Sequence, residues 1–398
     1  MSFSTTVDRE HREHRQIASL GLMVMDSAKE LGAMVDKHLQ NFYQQKEPHP
    51  DEQHGDDSFL VSVSSPRFQS GDGKVMITQS VRGLDLYILS DVGNYSCTYK
   101  MFGQDAPMSP DDHFADIKRA IQAAAGKAYR ITVIMPFLYG ARQHRRSYRE
   151  SLDCAYALQE LQSMGVSSVL TFDAHDPRVQ NAVPLMGFDN AMPYYQVLKA
   201  MLKKYPDLSL DKESFMVVSP DEGAISRNVY FASTLGVEMG MYYKRRDYSR
   251  MVKGRNPIVA HEFLGTDIAG KNVMVYDDQI ASGDSMLDIA YDLKKRGADK
   301  VFAACTYALF TEGVDRFNKA VEDGVLTAVL STNLTYRRPE LLPAPWYIEV
   351  DASKYLAYFI ASMNHNMSVG AMIDPYDKIQ KLLENHRSQQ ATQMELFK

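Results

Sequence analysis

Short apolar runs alternate along the chain with amphipathic stretches of helical period, which predicts alternating strands and helices and therefore an α/β fold built on mainly parallel sheets. Residues 18–25 are an apolar run, and residues 27–43 then place Leu31, Met34, Val35, His38 and Leu39 on one helical face. Residues 59–64 and 74–79 alternate as strands do, across a turn-rich segment, and 85–89 is a further short strand. Residues 95–112, with Gly, Pro and Asp and little periodicity, read as an irregular excursion before a helix over 112–125.

The pattern then becomes regular. A strand at 130–136 precedes a basic loop and a helix with Leu152, Ala155, Leu158 and Leu161 on one face; Gly165 stops it, and a strand follows at 168–172. The same order returns later: a strand at 272–276, a loop, a helix with Leu287, Ala290 and Leu293, a stop at Gly297 and a strand at 301–304. Two copies of one unit indicate two domains of like architecture. Between them lie a helix at 192–204, a strand at 215–219, a helix at 224–235 and a strand at 238–243. A strand at 325–331 and a long helix at 353–364 follow. Residues 1–16 read as disordered or loosely helical, 45–57 as a surface loop with solvated His residues, and the tail beyond Asp374 as polar and helical.

Composition narrows the class. A chain of 398 residues, 45% hydrophobic and 24% charged, buries a sizeable core and is expected to be a soluble globular protein. A net charge of −6 gives no general attraction to nucleic acid or an anionic membrane, so phosphorylated ligands must be met by local clusters of Arg and Lys. Three scattered cysteines make neither a disulfide framework nor a metal spacing, and no apolar run is long enough for a membrane span; the expected compartment is the cytoplasm.

Several strands end in residues that bind metal or phosphate. Asp173 and His175 follow 169–172, Asp221 follows 216–219, Lys244-Arg245-Arg246 follows 239–243, and the strand at 272–276 ends in Asp277 and Asp278. Carboxyl ends of parallel strands gather on one edge of a sheet, where ligands normally bind. The acidic pair suits vicinal hydroxyls or hydrated Mg²⁺, or else it belongs to an ordinary βα turn with Ser285 as helix cap. Oxygen and imidazole ligands beside cations fit a site for Mg²⁺ and polyphosphate; the basic loop 142–149 has the same capacity, and no Walker A loop occurs.

The collinear series RFQSGDGKVMI, SVRG, YGARQHRR, VLTFDAH, VVSPDEG, KRR and VYDDQIASGDS resembles the ribose-phosphate pyrophosphokinase family over roughly residues 18–370. The resemblance implies two phosphoribosyltransferase-like domains, each a mainly parallel sheet flanked by helices. The first spans 18–188 on the ATP side and is joined by the helix 353–369; the second spans 189–350 on the ribose phosphate side. Residues 1–17 are then an N-terminal extension and 370–398 a tail. It further implies transfer of the pyrophosphoryl group of ATP to the anomeric hydroxyl of ribose 5-phosphate, with AMP released, Mg²⁺ as cofactor and a homo-oligomer, hexamer or dimer. Carried over by position, Phe68, Asp72, Arg142 and Gln143 would bind ATP, and His175 and Asp221 would hold Mg²⁺. Lys244 and Arg246, on a mobile loop, would stabilise the transferring group; Asp277 and Asp278 would orient the ribose hydroxyls; Ser282, Gly283 and Ser285 would surround the sugar phosphate.

The chain departs from that family's pattern at Gln69-Ser70-Gly71-Asp72, at His144, and most of all in the phosphate loop, where Ala281 stands for a carboxylate and Asp284 for a Gly. A carboxylate there repels a dianion at close range. Three readings follow: transfer to ribose 5-phosphate, the same transfer to another ribose such as one linked to a nucleotide, or a catalytically silent regulatory paralogue.

Overall fold

The computed structural model describes residues 15–44, 58–146, 149–246 and 258–396, with side chains omitted for residues 244–246, 258–261 and 392–396. Most of the N-terminal extension, the loop read at 45–57 and part of the basic loop 142–149 lie outside the described residues, as do the side chains of Lys244 and Arg246. The chain divides into two compact units, Met1–Met192 with Asn333–Tyr336 and Asp351–Asp374, and Pro193–Thr332 with Arg337–Val350 and Pro375–Lys398.

In the first unit β1 (Leu20–Val24), β2 (Leu60–Val61), β5 (Asp85–Leu89), β8 (Arg130–Ile134), β9 (Ser168–Phe172) and β10 (Gly187–Ala191) form one parallel sheet in the order β10-β9-β8-β5-β1-β2. Every residue of β5 is buried, as expected of a parallel sheet covered by helices on both faces. Two small antiparallel hairpins accompany it, β3 (Val63–Ser64) with β4 (Met76–Ile77) and β6 (Thr98–Met101) with β7 (Gln104–Pro107). The second hairpin replaces the irregular excursion expected at 95–112. Its turn needs positive φ at Phe102 and Gly103, and its half-exposed strands carry no apolar run to announce them.

Helix Ser353–Asn364 returns to this unit through a buried polar network. Asp85, fully buried, accepts a two-pronged pair from Arg130 (2.8 and 2.7 Å) and a bond from Asn364 Nδ2 (3.0 Å). Asn364 Oδ1 in turn accepts from the Tyr43 hydroxyl (2.7 Å). A carboxylate without water is tolerated when it is fully paired in this way.

The second unit holds β11 (Phe215–Ser219), β12 (Glu238–Arg246), β13 (Ile258–Leu264), β14 (Asn272–Ile280), β15 (Val301–Ala308), β16 (Ala328–Thr332) and β17 (Tyr347–Val350), in the order β13-β12-β11-β14-β15-β16-β17. All neighbours are parallel except β12 and β13. Phe310, Phe317 and Trp346 pack together in its core. The polar tail is a helix, Tyr376–Leu396, docked on this unit: Gln380 Nε2 donates to Thr234 O (2.7 Å) and the His386 ring bonds Leu208 O (2.9 Å).

β12, β14 and β15 run well past their expected ends, β15 through Ala308 instead of stopping at Ala304. β12 extends through Lys244-Arg245-Arg246, whose backbone pairs with β13, with a register shift between Arg245 and Arg246; these cations continue a strand rather than opening a loop at Tyr243. β14 continues through Asp277 and Asp278 because β15 runs alongside it and pairs with it from Val273↔Val301 to Ile280↔Ala308. β10, β13 and β17 are strands that the apolar pattern does not mark.

Candidate functional site

The second sheet has a switch point. From β11 the chain moves outward to β12, and from β14 it moves the other way to β15, so β11 and β14 are neighbours whose connections diverge at their carboxyl ends. Such crevices are where open α/β sheets bind ligands. Pairing of β14 with β11 stops at Val275, so Tyr276 and the acidic pair have a strand on one side only. Helix Ile225–Leu235 closes the other side. Asn228 Nδ2 donates to Tyr276 O (2.9 Å), the carbonyl that β11 does not reach. Arg227 lies 3.3 Å from Asp277 Oδ1 and 4.0 Å from Asp278 Oδ1.

The two carboxylates are not equivalent. The Asp278 side chain is 7% exposed and accepts from Gln279 Nε2, whereas Asp277 keeps 25% of its side chain open, so it is the one a ligand reaches. Burial raises the Asp277 carboxyl above its ordinary range, the charge of Asp278 pushes the same way, and Arg227 opposes both. Carboxylate oxygens at a strand end of this kind suit hydroxyl donors or a cation.

At the end of β11, Asp221 Oδ1 accepts from the amides of Gly223 (2.9 Å) and Ala224 (3.2 Å), a turn that fixes the carboxylate ahead of helix Ile225–Leu235. Beyond β14 the chain turns into helix Asp284–Lys295. Its cap is Gly283, at φ 86°, and not Ser285. A Cβ on Gly283 would sit 2.4 Å from the Phe317 ring, so glycine is what lets helix Asp315–Glu322 approach this loop. Gly283→Ala is expected to lose roughly 2–4 kcal/mol in urea denaturation, from left-handed backbone strain and overpacking. A loss under about 0.5 kcal/mol, the scatter of ordinary surface changes, would show that the ring moves aside.

Asp284, expected to repel a phosphate, is itself paired. Its carboxylate accepts from the Arg316 guanidinium and from Ser282 Oγ (2.9 Å), and both lower its pKa, Arg316 most. Arg316, Arg227 and Asn228 are site residues the sequence does not reveal. The contacts that bring them to the site span 32 to 50 residues along the chain, and only the lone cation of Arg227 on a mainly uncharged helix is a signal in the sequence.

In the first unit the corresponding switch point, between β1 and β5, is already filled. Asp91 after β5 accepts from Gly93 N (2.9 Å), Thr335 Oγ1 (3.0 Å) and Tyr336 N (2.8 Å). The residues assigned to ATP lie elsewhere. Phe68 and Asp72 close a turn, Phe68 N to Asp72 O (2.8 Å), with Phe68 exposed and Asp72 bound to Ser70 Oγ. The turn is anchored by Arg67, whose Nη2 is 2.6 Å from Asp116 on helix Pro110–Ala124; Arg119 shares that carboxylate (2.8 Å). Burial still raises the Asp116 pKa despite both cations.

Arg142 and Gln143 are exposed on the 3-10 turn Ala141–Gln143 after β8. The segment leading to that turn rests on the same helix through Tyr139, stacked on Phe114 (4.3 Å) and bonded to Asp111 (2.6 Å). His144 ties this turn to the one after β9: its Nε2 is 3.4 Å from Asp176, and its ring centre 5.4 Å from that of His175. Burial lowers the His144 pKa, while Arg178 holds Asp176 down to about 2, so the pair is a neutral imidazole beside a carboxylate near neutral pH. Arg142, Gln143 and His175 are thus brought together within the first unit; Asp221, Asp277, Asp278 and the 282–285 loop are brought together in the second.

Among the described residues no group of three His, Cys, Asp or Glu side chains is placed to cage a metal. Mg²⁺ retains waters and arrives with phosphate, needing only one or two protein ligands, so Asp221 with hard oxygen donors nearby remains a chemically suitable partner. No helix among the described residues is long and apolar enough to cross a membrane.

Residues 20–165 match the model of the N-terminal domain of ribose phosphate pyrophosphokinase, and residues 188–322 match that of the phosphoribosyl transferase domain. A ribose-phosphate pyrophosphokinase of Pasteurella multocida is 30% identical over 319 residues, covering 79% of this chain and 91% of the relative. One of Vibrio cholerae is 28% identical over 321 residues, 79% of this chain and 92% of the other. The crystal structure of phosphoribosylpyrophosphate synthetase from Mycobacterium smegmatis shares the fold, with a TM-score of 0.68 at 21% identity over 87% of this chain and 99% of that one. With both domain models matched in order and the relative from Pasteurella multocida covered nearly end to end, the chain belongs to the ribose-phosphate pyrophosphokinase family.

Proposed function

We propose that this protein transfers the pyrophosphoryl group of ATP to the anomeric hydroxyl of ribose 5-phosphate, giving phosphoribosyl pyrophosphate and AMP. The observation that carries this reading is the Asp277–Asp278 pair at an open switch point, set beside the glycine-capped loop at the start of helix Asp284–Lys295, in a chain of this family. The acidic pair orients the ribose hydroxyls, Asp277 as the more open acceptor and Asp278 from the more buried position behind it. Ser282, Gly283 and Ser285 donate to its phosphate. In the first unit, Phe68 lies against the adenine, Asp72 binds the nucleotide's polar edge, and Arg142 and Gln143 hold the nucleotide.

The anomeric oxygen attacks the β-phosphorus, the bond from that phosphorus to the α–β bridging oxygen breaks, and the hydroxyl proton is released. Lys244 and Arg246 neutralise charge on the transferring group, so positioning and electrostatics provide most of the acceleration. Bound Mg²⁺ would neutralise charge on the polyphosphate, and His175 in the first unit and Asp221 in the second are each proposed as a residue that would hold it. Chromatography of nucleotides after incubation with ATP, Mg²⁺ and ribose 5-phosphate tests the reaction: AMP is expected to accumulate only with the sugar present. ADP as the product, or AMP formed equally without the sugar, would refute it.

A further inference from the structure

The guanidinium at Arg316 is placed where a sugar phosphate would need a cation. It stands on helix Asp315–Glu322, which Phe317 packs directly under Gly283, so its position beside the 282–285 loop is set by the core rather than by a flexible side chain alone. It bonds the Asp284 carboxylate and lies 3.6 Å from Glu312, and the charge of Asp288 acts on it as well. One cation therefore faces three carboxylates. Ser282, whose hydroxyl would donate to a phosphate, instead donates to Asp284 (2.9 Å). The carboxylate of Asp284 is thus already on two of the groups a phosphate would use.

We propose that Arg316 receives the acceptor's 5-phosphate and that Asp284 sets the charge this position accepts, favouring a ribose whose 5-phosphate is esterified over the free monoester. The inference rests on the reading of the 282–285 loop as the sugar phosphate site. A phosphodiester carries one negative charge and can share Arg316 with Asp284. A monoester is dianionic near neutral pH and must displace that carboxylate or bear its repulsion. The pair is half-exposed, at 48% and 55%, so the effect is that of one extra charge at close range in high dielectric, roughly 5-fold in affinity. Ribose 5-phosphate remains an acceptor, bound more weakly than its esters.

Calorimetric titration of ribose 5-phosphate and of its methyl phosphodiester into the full-length protein, Asp284→Asn and Arg316→Ala tests this. The wild type is expected to bind the diester about 5-fold more tightly; Asp284→Asn tightens the monoester about 5-fold and closes the gap, and Arg316→Ala weakens both ligands about 10-fold. A wild-type preference for the monoester, absence of binding, or a ratio unchanged by Asp284→Asn would overturn the proposal. Thermal melting confirms folding of each variant, and Asp284→Ser serves as a second neutral replacement. Nucleotide products measured in parallel separate the two readings: the expected ratios without AMP formation leave the charge filter standing and remove the transfer reaction, while AMP formation with unshifted ratios does the reverse.

Discussion

Lys244→Ala is expected to lower the turnover of ATP to AMP about 100- to 1,000-fold, with the Michaelis constants for both substrates changed little. The reason is that charge accumulates on the transferring pyrophosphoryl group only as the reaction proceeds, and removal of one preorganised donor at such a point typically costs this much. β12 carries Lys244 along a strand paired with β13, and the ladder shifts register between Arg245 and Arg246, so the backbone leaves regular pairing within the basic run itself. Steady-state kinetics of AMP release provide the check. An unchanged turnover number would remove Lys244 from the chemistry and leave the basic run as a solvated strand end.

A split outcome is expected for Asp277→Asn: function falls while stability rises. Loss of a charged acceptor for the ribose hydroxyls should lower kcat/KM for the sugar about 10- to 100-fold. Stability moves in the opposite direction. Burial and Asp278 raise the folded-state pKa of Asp277 above its unfolded value, so ionising this carboxyl costs more in the native state than in the unfolded chain. Stability from this group is present at low pH and is lost as pH rises through the folded pKa. Asn removes the cost, and Asp278 remains within 4.0 Å of Arg227. Thermal melting should therefore place the variant above wild type at pH 8, with the difference shrinking toward pH 4. A variant less stable than wild type at pH 8 would mean that the bond from Arg227 outweighs the repulsion between the two carboxylates.

The pair of sheets was legible because buried parallel strands are apolar runs. β5, β9, β11 and helix Ser353–Asn364 fall residue for residue where the pattern puts them. What failed to show has physical causes. β10, Gly-Phe-Asp-Asn-Ala, is an edge strand with only one fully buried residue, and β6 alternates without an apolar face. β14 outruns its apolar stretch because the hydrogen bonds of β15 hold the acidic pair in the ladder, an effect of pairing that residue type does not encode. The candidate site divides in the same way. Asp277, Asp278 and Asp221 were visible as carboxylates at strand ends, while Arg227, Arg316 and the sharing of Asp116 by Arg67 and Arg119 depend on tertiary approach. Asp284 was legible as a charge in an unexpected place, but its pairing with Arg316 was not, and that pairing changes it from a simple obstacle into part of the site.

Transfer of an intact pyrophosphoryl group is tested most directly by the structure of the product. Phosphorus NMR of the mixture formed from ATP and ribose 5-phosphate should show a new pair of coupled diphosphate resonances on the anomeric carbon, appearing in step with AMP. A monophosphorylated sugar formed with ADP, or free pyrophosphate with no phosphorylated anomeric carbon, would contradict it.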